Sequence, residues 1–168
     1  YPERVERLAL LCTSAGGDAG ASYPLHELGA LSAEERNKKI LLLTDSRFTE
    51  EWFASHPSDL KMMRLRAEQA AQPKADEVLR GERLQLIARI GHDVADRLHK
   101  VASPTFVMAG RFDGIAPPSN SHEIVKRIPH ATMAEYEGGH IFVAQDKLAL
   151  KDLWAFLSGD SSVQSGQS

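Results

Sequence analysis

Two short apolar runs bracket a long stretch with no strand character, and this arrangement restricts the fold more than any other feature of the sequence. The first, Val5 to Cys12, ends in Thr13-Ser14-Ala15-Gly16-Gly17, a cluster of small, loop-prone residues. The second, Thr105-Phe106-Val107-Met108-Ala109, is entered through Pro104 and closed by Gly110. Short apolar runs bounded by turn residues read as buried strands. A third, weaker run is Thr132 to Tyr136, between Pro129 and Gly138-Gly139. Between the second and third runs, Ile124, Val125 and Ile128 mark one face of a helix over 119–128, with Ser119 or Asn120 placed to cap it. After the third run, Leu148, Leu153, Trp154, Phe156 and Leu157 form a helical stripe over 145–157. Strand, helix, strand, helix at this spacing predicts parallel strands joined by crossover helices, the α/β class.

Residues 24 to 100 break the rhythm. They are rich in Glu, Lys, Arg, Ala and Leu and read as helices near 32–43, 48–55, 59–71, 75–90 and 92–99, with Asp93 as an N-cap. The expected organisation is a core of residues 1–20 and 101–157, a helical insert over 21–100, and a tail over 158–168. Composition closes off other classes. A net charge of −3 offers no basic field for nucleic acid or an anionic membrane. No apolar stretch approaches the roughly 20 residues of a membrane helix, and the start lacks a signal-peptide layout. The single cysteine, Cys12, permits no internal disulfide. It reads as a small buried hydrophobe, and a cytoplasmic location is expected. The histidines show no H-x-x-x-H or H-x-H spacing, so neither a metal nor another cofactor is expected.

Two loops place an ionisable residue just beyond a strand's C-terminal end, the edge where open α/β sheets do their chemistry. One is Gly110-Arg111-Phe112-Asp113-Gly114-Ile115-Ala116-Pro117-Pro118, and the other is Glu137-Gly138-Gly139-His140. Taken alone, Asp113 reads equally as a turn residue bonding its own backbone. As a pair, a carboxylate on one imidazole nitrogen of His140 fixes the tautomer that leaves the other free as a base. Met62, Met63 and Trp154 read as packing residues, whereas Trp52 and Phe53 read either as packing or as walls of a pocket for an acyl or ring group.

The run Pro104 to Pro118, with Ile128-Pro129 and Tyr136-Glu137-Gly138-Gly139-His140 after it, resembles the C-terminal part of an α/β-hydrolase, and Tyr1 to Leu11 resembles that fold's sixth strand. The resemblance implies that Asp113 is the catalytic acid, His140 the catalytic base and the helical insert a cap. It also implies a small carboxylic ester or lactone as substrate, although the same acid and base serve amide, epoxide, haloalkane and C–C hydrolysis. The expected nucleophile elbow, G-x-S-x-G, occurs nowhere in the 168 residues. Ser14 is the nearest imitation, but it follows the wrong strand and lacks the leading glycine. The resemblance therefore implies a C-terminal piece whose elbow and oxyanion loop precede Tyr1, inactive alone, with Val5 to Cys12 as an open edge that favours a homo-oligomer. The competing expectation is a non-enzymatic module that binds a ligand or partner through its helices.

Overall fold

The structure, a computed structural model, describes residues 1–160. Three parallel strands form one sheet in the order β1 (Leu8–Leu11), β2 (Thr105–Gly110), β3 (Thr132–Tyr136). The α/β expectation holds. Leu8 pairs with Thr105 and Leu11 with Met108, while Phe106 pairs with Thr132 and Gly110 with Tyr136. Every residue of β2 is buried, as a central parallel strand covered on both faces requires.

The two-residue period of β2 divides the core. Val107 packs with Ile124 of helix α5 (Pro118–Arg127), with Ile128, which caps that helix, and with Ala95 and Leu98 of a 3-10 turn (Ala95–Lys100). Phe106 and Met108 point the other way, onto Phe142 of the one-turn helix α6 (Phe142–Gln145) and Ala149 of α7 (Lys147–Ser158). The helix that crosses from β2 to β3 and the helices that follow β3 thus cover opposite faces. Fully burying side chains of this size stabilises by about 1.5–3 kcal/mol each.

The stretch between β1 and β2 holds four α-helices, α1 (Ala33–Thr44), α2 (Glu50–Ser55), α3 (Pro57–Ala70) and α4 (Asp76–Ala88), after a 3-10 turn at Leu25–Ala30. A capping box starts α1: the Ser32 hydroxyl accepts the Glu35 amide, and the Glu35 carboxylate accepts the Ser32 amide. Neither α3 nor α4 contains a buried residue.

Several local expectations are corrected. Strand β1 is shorter than the apolar run, because Pro2–Arg4 forms a 3-10 turn and Val5 is exposed. The caps expected of Ser119 and Asn120 are not used: Pro117 is the N-cap and Pro118 occupies the first turn of α5, where a missing N–H costs nothing. Asn120 is instead buried and donates from its side chain to Ala21 O at 3.1 Å. Val94, not Asp93, caps the turn at Ala95–Lys100, while the Asp93 carboxylate accepts the Ala95 amide. The expected tail begins too early, since Ser158 closes α7 and Gly159 caps it in the left-handed conformation. The remainder of that segment, 161–168, lies outside the described residues.

Candidate functional site

The C-terminal ends of the three strands converge on Cys12, Asp113 and His140. Gly110 ends β2 where a Cβ would stand 2.1 Å from Gly139 O, so only glycine lets the acid loop approach the histidine loop this closely. The chain then turns, and Asp113 becomes nearly inaccessible. Its two carboxylate oxygens have separate tasks. Oδ1 accepts the amides of Ile115 (2.8 Å) and Ala116 (2.9 Å), which locks the turn. Oδ2 faces His140 Nδ1 at 2.9 Å. One residue thus makes both the turn contacts and the contact with the imidazole.

That contact sets the tautomer. A carboxylate can only accept, so Nδ1 carries the proton and Nε2 keeps its lone pair. Among the described residues Nε2 has no hydrogen-bond partner. The His140 side chain is 32% exposed and lines a cleft of about 340 Å³ with Cys12, Thr13, Ser14, Ser22 and Arg89. The arrangement is an oriented base opening into a small polar cleft. Ser14 stands on that wall, its hydroxyl 2.7 Å from that of Ser22. Trp52 and Phe53 do not line this cleft. Trp52 stacks on His56, donates to Asp59 at 2.9 Å and lies under the Arg47 guanidinium, and Phe53 packs against Phe48.

The C-terminal end of α1 is wedged between the two loops. Gly114 N donates to Leu43 O (3.0 Å), His140 N to Thr44 O (2.6 Å), and Ser46 N to Phe112 O (2.9 Å). Asp45, wholly buried, fastens this wedge. Its carboxylate accepts Arg47 Nε (2.9 Å) and Nη2 (2.8 Å), and also Gln145 Nε2 (2.8 Å). Gln145 Oε1 in turn accepts the amide of Gly139 at 2.9 Å, next to His140. Burial pulls the Asp45 pKa upward, but the hydrogen bonds from Arg47 and Gln145 and the charge of Arg47 outweigh it and hold the carboxyl below its ordinary range. The Arg47 guanidinium also covers the Phe112 ring at 3.9 Å, tying the same hub to the acid loop.

Cys12 stands at the end of β1 with a positive φ of 48°, and its thiol donates to His140 O at 3.2 Å. Burial first, and the Asp113 charge second, push the thiol pKa far up, so it is held protonated and is not a nucleophile. Cys12, Asp45 and Gln145 were missed as site residues because nothing in their local sequence marks them. Asp45 follows a helix and Gln145 ends one, as ordinary polar residues do.

No family model matches the chain. Among solved structures, the enol-lactonase from Burkholderia xenovorans LB400 superposes with a TM-score of 0.68 at 19% identity, covering 94% of this chain and 58% of that one. The meta-cleavage product hydrolase from Pseudomonas fluorescens IP01 gives 0.60 at 20% identity, covering 95% and 58%. The chain has the α/β-hydrolase fold. It spans a C-terminal portion of that hydrolase fold, with three of its parallel strands and their helices. In sequence it is 28% identical over 152 residues to a poly(3-hydroxyalkanoate) depolymerase from Ectopseudomonas oleovorans, a match that takes in 85% of this chain and 48% of that protein. The hydrolase-fold chain therefore spans about half the length of the curated relative it matches. No helix among its described residues is long and apolar enough to cross a membrane.

Proposed function

We propose that the chain supplies the acid, the base and the cap of a serine-type hydrolase acting on a small carboxylic ester or lactone. The observation that carries the reading is the Asp113–His140 contact, with one carboxylate oxygen committed to the turn, the other to Nδ1, and Nε2 open to the cleft. In such a reaction Nε2 takes the proton of an attacking serine hydroxyl and returns it to the leaving oxygen, while Asp113 holds the ring and stabilises its cation. The names of similar proteins, an esterase, an enol-lactonase and a poly(3-hydroxyalkanoate) depolymerase, support an ester or lactone bond. The helices between β1 and β2 serve as the cap, and the single cysteine supports a cytoplasmic setting.

The serine belongs to a segment other than these 168 residues. Ser14 is no substitute: it shares a hydrogen bond with Ser22, and the amide of Ser22 donates to it. An oriented imidazole without nucleophile or oxyanion donors gives little acyl transfer. The purified chain is therefore expected to leave p-nitrophenyl butyrate hydrolysing at the buffer rate. Turnover abolished by Ser14→Ala would replace this reading with one in which Ser14 is the nucleophile.

The same proposal extends to assembly. Among the described residues β1 pairs with β2 alone, so its outer edge presents unpaired backbone groups. Nearby on α7, Trp154, Leu150 and Leu157 are exposed. A second copy of the chain is the proposed occupant of that edge. Light scattering at micromolar concentration is expected to give at least a dimer mass, and a monomer mass would remove this part of the proposal.

A further inference from the structure

Cys12, Asp113 and His140 lie 101 and 27 positions apart along the chain, yet each brings a ligating atom within 4.8 Å of the other two. They are the one such group of three or more among the described residues. The set combines a thiol, a carboxylate and an imidazole, the donor types that zinc takes in tetrahedral sites. Cys12 is placed for this by an unusual backbone. A non-glycine residue rarely adopts positive φ, and here the conformation sets the sulfur, at the margin of the Phe106 cluster, beside the histidine loop.

We infer that this trio is a binding site for a thiophilic divalent cation such as Zn²⁺, formed by Cys12 Sγ, an Asp113 oxygen and a His140 ring nitrogen. Zinc sits about 2.3 Å from sulfur and about 2.0–2.2 Å from nitrogen and oxygen, so its ligands stand about 3.3–3.7 Å apart. His140 Nδ1 and Asp113 Oδ2, 2.9 Å apart, must part by a few tenths of an ångström to admit the ion, and the Cys12 sulfur lies within 4.8 Å of the ligand atoms of both residues. The cation displaces the proton that burial and the Asp113 charge otherwise hold on Cys12: the S–H bond breaks, its proton goes to water and a metal–sulfur bond forms. His140 binds as neutral imidazole through Nδ1, its proton moving to Nε2. His140 and Cys12 both line the cleft, which leaves the fourth position for a water molecule.

The consequence is regulatory. An ion in this site takes Nδ1 from Asp113 and puts a proton on Nε2, so a loaded site has no free base. Metal occupancy and proton abstraction use the same side chains and exclude each other. The inference stands on the trio alone and goes beyond the hydrolase reading, since the ligands are present whether or not a serine ever meets His140.

The test is a Co²⁺ titration of the purified chain in a non-thiol reductant, followed by absorbance. One equivalent is expected to raise a near-ultraviolet thiolate-to-cobalt charge-transfer band that Zn²⁺ abolishes. Cys12→Ser should remove the band, and His140→Gln should weaken cobalt binding at least tenfold, each with an unchanged far-ultraviolet circular dichroism spectrum. In the unsubstituted chain, Zn²⁺ should shift the ¹⁵N resonances of the His140 ring, a measurement that needs no variant to fold. The inference is overturned if no band appears, if the band survives Cys12→Ser, or if the His140 resonances stay in place. None of these outcomes touches the metal-free Asp113–His140 contact, on which the hydrolase reading rests separately.

Discussion

Replacing Asp113 with asparagine is expected to lower ester turnover about 10⁴-fold in the protein that brings a nucleophile to His140, with the fold unchanged. The reason lies in how the carboxylate is divided. The amides of Ile115 and Ala116 donate to Oδ1, so the asparagine must turn its carbonyl oxygen toward them. Its NH₂ then faces His140 Nδ1, where Oδ2 stood at 2.9 Å. A donor at that place forces Nδ1 to accept and moves the ring proton to Nε2, the nitrogen that must be free. The isolated chain offers a direct check. The ¹⁵N shifts of the His140 ring should report protonated Nδ1 in the unsubstituted chain and protonated Nε2 in Asp113→Asn. Unchanged shifts, or a loss of turnover below about tenfold, would show that Asp113 does not set the tautomer.

How much of this site could be read in advance depends on the kind of contact involved. Asp113 and His140 were legible because each follows a strand through glycines, and strand ends in parallel sheets gather at one edge. The strands were legible because their apolar runs are short and flanked by Pro and Gly. The wedge at the end of α1 was not. Its hydrogen bonds run from backbone to backbone, Gly114 to Leu43 and His140 to Thr44, and a backbone group carries no sequence signature. Asn120 shows the same limit at one residue: its type suits a cap, but Pro117 and Pro118 set the helix start first and left its amide to bind Ala21 O. The missing caps on α3 and α4 passed unnoticed for the opposite reason. Their composition is helical enough to be read without any cap or buried face. Cys12 packs against the Phe106 cluster as its apolar character predicts, but periodicity cannot foresee the positive φ that brings its thiol to His140 O.

Asp45→Ala is expected to cost about 3 kcal/mol of stability, although Asp45 belongs to no recognisable motif. The substitution leaves the Arg47 guanidinium, 19% exposed, and the Gln145 amide without their common acceptor. Removing one member of a buried pair costs more than the pair contributes, because the other member stays desolvated. Asp45→Asn should cost less, since one oxygen remains for Arg47. The pH dependence follows from the depressed pKa. A carboxyl that titrates lower in the folded chain than its ordinary 3.8 binds fewer protons folded than unfolded, so its contribution is full above about pH 4 and fades as pH falls through the folded value. The stability difference between the unsubstituted chain and Asp45→Asn, from urea midpoints, should therefore narrow from about pH 4 downward. A difference constant over that range would mean that the charge of Asp45 contributes nothing. The local consequence reaches the site. With the hub weakened, the amides of His140, bonded to Thr44 O, and of Gly139, bonded to Gln145 Oε1, should exchange with deuterium faster than the β2 amides. Unchanged exchange at those two amides would separate the stability of α1's end from the positioning of His140.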